Sequence, residues 1–164
     1  MSENPLEHWS DITNLEGKIV LDFGCGWLFQ PFQSTTEYFI SRGASLVVGV
    51  DVACSEIEQL KERYPQHSFF CQKLETLSQI DNYITTYRPQ VIKMDIEGVE
   101  SVLKDVQAED WSSVEEVAIE YHNPECKKII TNKLTELGFT IFAINPFGWY
   151  VTNPNIMGVL HAKR

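Results

Sequence analysis

Residues 15–26 read LEGKIVLDFGCG, and this stretch decides the fold. The apolar run Ile19–Phe23 carries Asp22 near its end and passes directly into Gly24-x-Gly26. A strand, a glycine turn and a following helical pattern open an α/β unit, and ligands of such sheets bind at the carboxyl ends of the strands. Glycine serves there because a missing side chain lets backbone approach a ligand closely.

Outward from this unit, short β-branched runs alternate with longer helical patterns, the pattern of βαβ units and a mostly parallel sheet. A helix over about 32–42 closes on Gly43, where a left-handed C-cap is wanted. A strand Leu46–Val50 follows, ending at Asp51. Ser55 and Glu58 spell a capping box for the next helix, and Pro65 lies beyond its end. A strand Ser68–Cys71 leads to a helix opened by Thr76 and Gln79 and running to about Tyr87. The fourth strand is Val91–Asp95, followed by a short helix over 99–106 and a fifth strand Val114–Glu120. Asn123, Pro124 and Glu125 are cap, first turn and favourable dipole charge for a helix to Leu137, closed by Gly138. Phe139–Ile144 and Ile156–Ala162 are strands with no helix between them, so they pair antiparallel or lie as neighbours joined by a long loop. The expected fold is α/β, a Rossmann-like sheet that is mostly parallel with a terminal antiparallel strand. Five alternating units and such a terminal pair fit a methyltransferase sheet better than a plain dinucleotide-binding sheet. One domain over 1–164 is expected, with 1–18 as a short N-terminal extension.

The formal charge of −10 repels a phosphate backbone, so nucleic acid is not an expected partner. Lys127 with Lys128 and Lys163 with Arg164 read as solvated ends. No apolar run is long enough to span a membrane, and MSENPLEHWSD lacks the basic start and apolar core of a secretory signal. Cys25, Cys54, Cys71 and Cys126 form no CxxC pair and no zinc-like spacing, so reduced thiols in a cytoplasm are expected.

The second acid, Asp51, falls roughly twenty residues or slightly more past the glycines, a position suited to ribose hydroxyls. A dinucleotide fingerprint would place a third glycine near 29, but the loop carries Trp27, Leu28 and Phe29. Such bulk crowds a pyrophosphate that needs exposed amides at a helix N-terminus. S-adenosylmethionine has no phosphate, and it is the expected cofactor. Its binding set is Asp22, Gly24, Cys25, Gly26, Asp51 and Val52, with Lys73 and Leu74 after the third strand and Asp95 at the end of the fourth. Each feature alone has a plainer reading: a tight turn for the glycines, a helix cap for Asp22, a turn acid for Asp51. Their register together is far less expected by chance.

KMDIEGVE, residues 93–100, brings Asp95 and Glu97 to the same edge. Carboxylates there suit an ammonium, a substrate hydroxyl or a divalent metal. VEEVAIEYH, residues 114–122, adds Glu120 and His122 from the neighbouring strand. A histidine within reach of a hydroxyl is a plausible general base near neutral pH. His122 and Glu97 are the candidate catalytic residues. The plainer readings are a polar helix start for His122 and a first-turn acid for Glu97. The spacing matches no dedicated metal loop, so no metal is expected.

VLDFGCG resembles the first motif of class I methyltransferases. KMDIEGVE followed by a strand ending in Glu-x-His resembles the FkbM family of methyltransferases. The resemblance covers nearly the whole chain. It implies S-adenosylmethionine binding and methylation of a hydroxyl on a small molecule, often a sugar or polyketide-like natural product. The sequence departs from the family in its aromatic, glycine-poor loop, in the short region before the first strand, and in ending soon after the seventh. A non-catalytic module that keeps the fold and the ligand is the competing reading, and an NAD enzyme the third. Trp27, Phe29, Phe32, Phe147, Trp149 and Tyr150 are expected to roof the acceptor pocket. The same aromatics suit the interface of a homodimer equally well.

Overall fold

The computed structural model describes residues 9–26, 34–146 and 157–164. The aromatic roof residues 27, 29, 32, 147, 149 and 150 lie outside the described residues.

Seven strands form one sheet: β1 Ile19–Phe23, β2 Leu46–Asp51, β3 Ser68–Cys71, β4 Val91–Met94, β5 Glu116–Tyr121, β6 Thr140–Pro146 and β7 Gly158–Lys163. Their order is β3-β2-β1-β4-β5-β7-β6. β1 to β5 pair in parallel, and β7 runs antiparallel to both β5 and β6. This is the mostly parallel, Rossmann-like sheet with an antiparallel end that the strand and helix pattern predicts. Strand order reverses between β1 and β4, so the crevice of the topological switch point opens above Gly24 and Asp95.

Helices α1 Thr35–Ser41 and α2 Cys54–Arg63 follow β1 and β2, and α3 Leu77–Tyr87, α4 Val99–Leu103 and α5 Pro124–Glu136 follow β3, β4 and β5. The apolar sides of α3, α4 and α5 pack on one sheet face, around Leu21, Phe23, Ile92, Val117 and Ile119. The other face packs against α1 through Tyr38 and Phe39, and against Trp9, Ile12 and Leu15 of the N-terminal segment. A smaller cluster of Cys25, Ile57, Leu60 and Phe69 seats α2.

The helix signals hold where the turn chemistry is local. Thr76 with Gln79 forms a reciprocal capping box, and Asn123 accepts from the Cys126 amide with Pro124 in the first turn. The box read at Ser55 and Glu58 does not form. The N-cap is Ala53, two residues before Ser55, where the Asp51 carboxylate accepts from the Ala53 amide at 2.9 Å and turns the chain into the helix. A box that went unread, Ser34 with Glu37, opens α1.

Lys163 and Arg164 are exposed, as expected, and the Arg164 guanidinium also donates to the carbonyls of Trp111 and Leu137, the latter at the C-terminus of α5, where a cation meets the helix dipole. One further expectation is corrected. Cys54 and Cys71 are not separate thiols but are joined as a disulfide, because the parallel register of β2 with β3 sets Cys71 beside Asp51. Cys25 and Cys126 are free and buried.

Candidate active site

The site is built along the carboxyl edge of the sheet. Gly24 has φ +85°, and a Cβ there would overlap the Asp95 carbonyl, so β1 and the chain leaving β4 meet in a contact only glycine permits. Gly26 sits as tightly against β2: a Cβ would lie 2.7 Å from the Asp51 carboxylate carbon. The Gly26 amide instead donates to Asp51 Oδ2 at 2.9 Å, while Asp51 Oδ1 accepts from Ala53. Each oxygen keeps a lone pair for a ligand hydroxyl.

Gly24, Asp51, Val52, Lys73, Leu74, Asp95 and Glu97 line one cleft of about 510 Å³. Its size falls within the range of small-molecule and cofactor pockets. Val52 is 62% exposed, an apolar surface that a planar base can cover. The charged lining is dominated by carboxylates, since Lys73 is paired with Glu75. It suits a sulfonium or ammonium group and opposes a pyrophosphate.

Two members of the expected cofactor set stand behind this wall. The Asp22 side chain is fully buried and accepts from Thr35 Oγ1 at 2.7 Å and Thr36 Oγ1 at 2.8 Å, tying the first turn of α1 to β1. Cys25 is buried beside α2, and burial first, then the Asp22 carboxylate, pushes its thiol well up. Such a thiol is inert.

Lys93 is the residue that the sequence reading passed over. It stands directly opposite Asp22 in the β1–β4 register. Its ammonium is buried, donates to the carbonyls of Gly24 at 2.7 Å and Phe23 at 3.4 Å, and forms an ion pair with Asp22 Oδ1 at 3.1 Å. The Trp9 ring covers it at 4.9 Å. Burial works against the charge, but Asp22 and Asp95 outweigh it and hold the lysine above its usual range. Alternation along the strands is the one signal available: Asp22, Lys93 and Glu120 each lie two residues beyond a buried apolar residue, Val20, Val91 and Ala118, so they share that face.

Across the sheet, ligand atoms of Asp95, Glu120 and His122 lie within 4.8 Å of one another. Glu120 is 3% exposed, and its Oε1 lies 3.0 Å from His122 Nε2. Glu120 Oε2 is buried with no fixed donor. Burial raises Asp95, to about 7; Lys93 opposes that rise, while Glu120 reinforces it. Glu120 is buried as well, but hydrogen bonds from His122 and Asp95 overcome the burial and lower it. The bond to Glu120 raises His122. A protonated Asp95 is the group able to donate to the second Glu120 oxygen, and His122 Nε2 donates to the first. His122 Nδ1 is then the nitrogen that can accept a proton. Glu97 lines the cleft from an exposed position and is not one of the three. The trio also has the donor types of a divalent metal site, with Lys93 Nζ 4.0 Å from Asp95 Oδ2 already supplying one positive charge.

With the cleft at the switch point and the antiparallel β7 in place, comparison with solved structures is decisive for the fold. The fold is that of the class I methyltransferases. A candidate tRNA methyltransferase from Streptococcus pneumoniae, solved in complex with S-adenosyl-L-methionine, superposes with a TM-score of 0.69 at 16% identity, covering 99% of this chain and 73% of that one. An S-adenosylmethionine-dependent methyltransferase from Mesorhizobium loti gives 0.61 at 12% identity, covering 96% of each chain. A candidate hemolysin from Streptococcus thermophilus gives 0.62 at 14% identity; this chain is covered over 98% of its length and spans 64% of that protein. No family model matches the sequence, and no curated protein does. Among the described residues, no helix is long and apolar enough to cross a membrane.

Proposed function

We propose that this chain is an S-adenosylmethionine-dependent O-methyltransferase of the FkbM type, acting on a hydroxyl of a small molecule. The observation that carries the reading is the joining of two features through Asp95. That residue lines the acidic cleft and belongs to the trio with Glu120 and His122. Methyl-cofactor binding in fold relatives, such as the Streptococcus pneumoniae complex, supports the cleft as the cofactor's place.

In this reading Asp51 holds the ribose hydroxyls, Val52 and Leu74 face the base, and the carboxylates of the cleft hold the cationic end. The methyl of the cofactor is already activated, so the protein's main contribution is alignment, which supplies about 7–11 kcal/mol in favourable cases. S-adenosylmethionine held by these residues would supply the activated methyl, transferred to the acceptor oxygen with the thioether as leaving group. The hydroxyl proton passes to His122 Nδ1, and Glu120 stabilises the imidazolium. A positioned base of this kind contributes roughly 10²–10⁴-fold. Glu97, at the cleft mouth, orients the acceptor. The charge of −10 favours a neutral or cationic acceptor over a nucleic acid.

The test is transfer of label from methyl-labelled S-adenosylmethionine to a panel of hydroxylated small molecules, sugars included. A labelled methyl ether formed by the wild type and lost in His122→Gln supports the reading. Binding of the cofactor with no transfer to any member would favour a non-catalytic module.

A further inference from the structure

Cys54 and Cys71 are joined next to two segments that line the cleft. Cys54 is the first residue of α2 and Cys71 the last of β3, with Cα atoms 5.0 Å apart. The segments they flank, Asp51–Val52 and Gln72–Leu74, both line the cleft. Both cysteines are exposed, and both sulfurs lie within 4 Å of the Val52 carbonyl, at 3.7 and 3.9 Å. Exposed disulfides are the labile ones, open to exchange with solution thiols, whereas the buried Cys25 and Cys126 are shielded from it.

We propose that the Cys54–Cys71 pair is a thiol–disulfide switch on ligand binding in this cleft; the ligand's identity rests on the cofactor reading above. The cleft is formed with the bond in place, and in this proposal the oxidised form is the one that binds. The bond ties the turn after β2 to the turn after β3 and pre-organises the wall that Asp51 and Val52 present. A low-molecular-weight dithiol opens it by exchange: the thiolate attacks one sulfur, and a second exchange releases the reagent as its own disulfide. The protein gains two electrons and two protons, leaving two thiols. Reduction then frees the two turns from each other, and ordering them becomes part of the cost of binding.

Calorimetry with S-adenosylhomocysteine tests this on the full chain, oxidised with glutathione disulfide or reduced with a dithiol, the redox state being read by intact mass. Reduction should weaken binding roughly three- to tenfold, the scale of ordering one or two loop residues. Cys54→Ser should show the weaker affinity in both conditions, and Cys126→Ser should keep the response. Equal affinity of the two forms, or an oxidised sample in which these two cysteines remain thiols, overturns the switch. Absence of binding in either form removes the cofactor reading and the switch with it; equal binding removes the switch alone.

Discussion

Glu120 Oε1 and His122 Nε2 lie 3.0 Å apart, an ion pair formed by residues two positions apart at the end of β5. The hydrogen bond to Glu120 raises the imidazole above its usual value of 6.5. The stability the pair contributes is therefore present in full below that unfolded value and is lost as pH rises through the raised folded value. Glu120→Gln should move the His122 titration, followed by NMR of the ring, downward, and the rising limb of any methyl-transfer profile should move to lower pH with it. A titration unchanged by the substitution would separate the two residues.

Asp51 joins the glycine turn to β2 by its bond from Gly26 and should also hold the ribose. Loss of a charge-assisted hydrogen bond costs about 1.5–3 kcal/mol. Asp51→Ala should therefore weaken cofactor binding roughly ten- to a hundredfold while a cooperative thermal transition persists. An unchanged dissociation constant would take Asp51 out of the site, and a lost transition would make it a structural residue.

Lys93 and Asp22 form a buried pair whose partners cannot be removed singly. Lys93→Met leaves an uncompensated carboxylate and should cost about 3–5 kcal/mol in urea unfolding. Adding Asp22→Asn removes the stranded charge and keeps an acceptor for Thr35 and Thr36, so the double variant should recover part of the loss. Additive losses would show that the two groups act independently.

Much of the architecture could be read in advance because it depends on local chemistry. The limits of β1 and β3, the Thr76–Gln79 box and the Asn123-Pro124 start each depend on a few adjacent residues. What could not be read depends on pairing between distant segments. Lys93 looks like a charge interrupting a strand until the β1–β4 register sets it opposite Asp22. Cys54 and Cys71, 17 residues apart, meet only because β2 and β3 are parallel neighbours. The Ser55–Glu58 pattern gave way to a competing local one, in which Asp51 accepts from the Ala53 amide two residues on and the helix starts at Cys54. In the site, Asp51, Val52, Lys73, Leu74, Asp95 and Glu97 share a cleft, as their placement at strand ends suggested. Asp22 and Cys25 are instead buried in the packed layer behind it.

The trio of Asp95, Glu120 and His122 needs no metal in the proposed reading. Chelation should leave turnover on an identified acceptor intact. Complete loss on chelation, restored by magnesium or manganese, would make the trio a metal site instead.

Calorimetric titration of the purified chain with S-adenosylmethionine, S-adenosylhomocysteine and NAD in parallel decides which ligand the cleft takes. Saturable binding of the two methyl-cofactor forms, weakened in Asp51→Ala, with no heat from NAD, is the expected result. Tight NAD binding with no response to either methyl-cofactor form would contradict it.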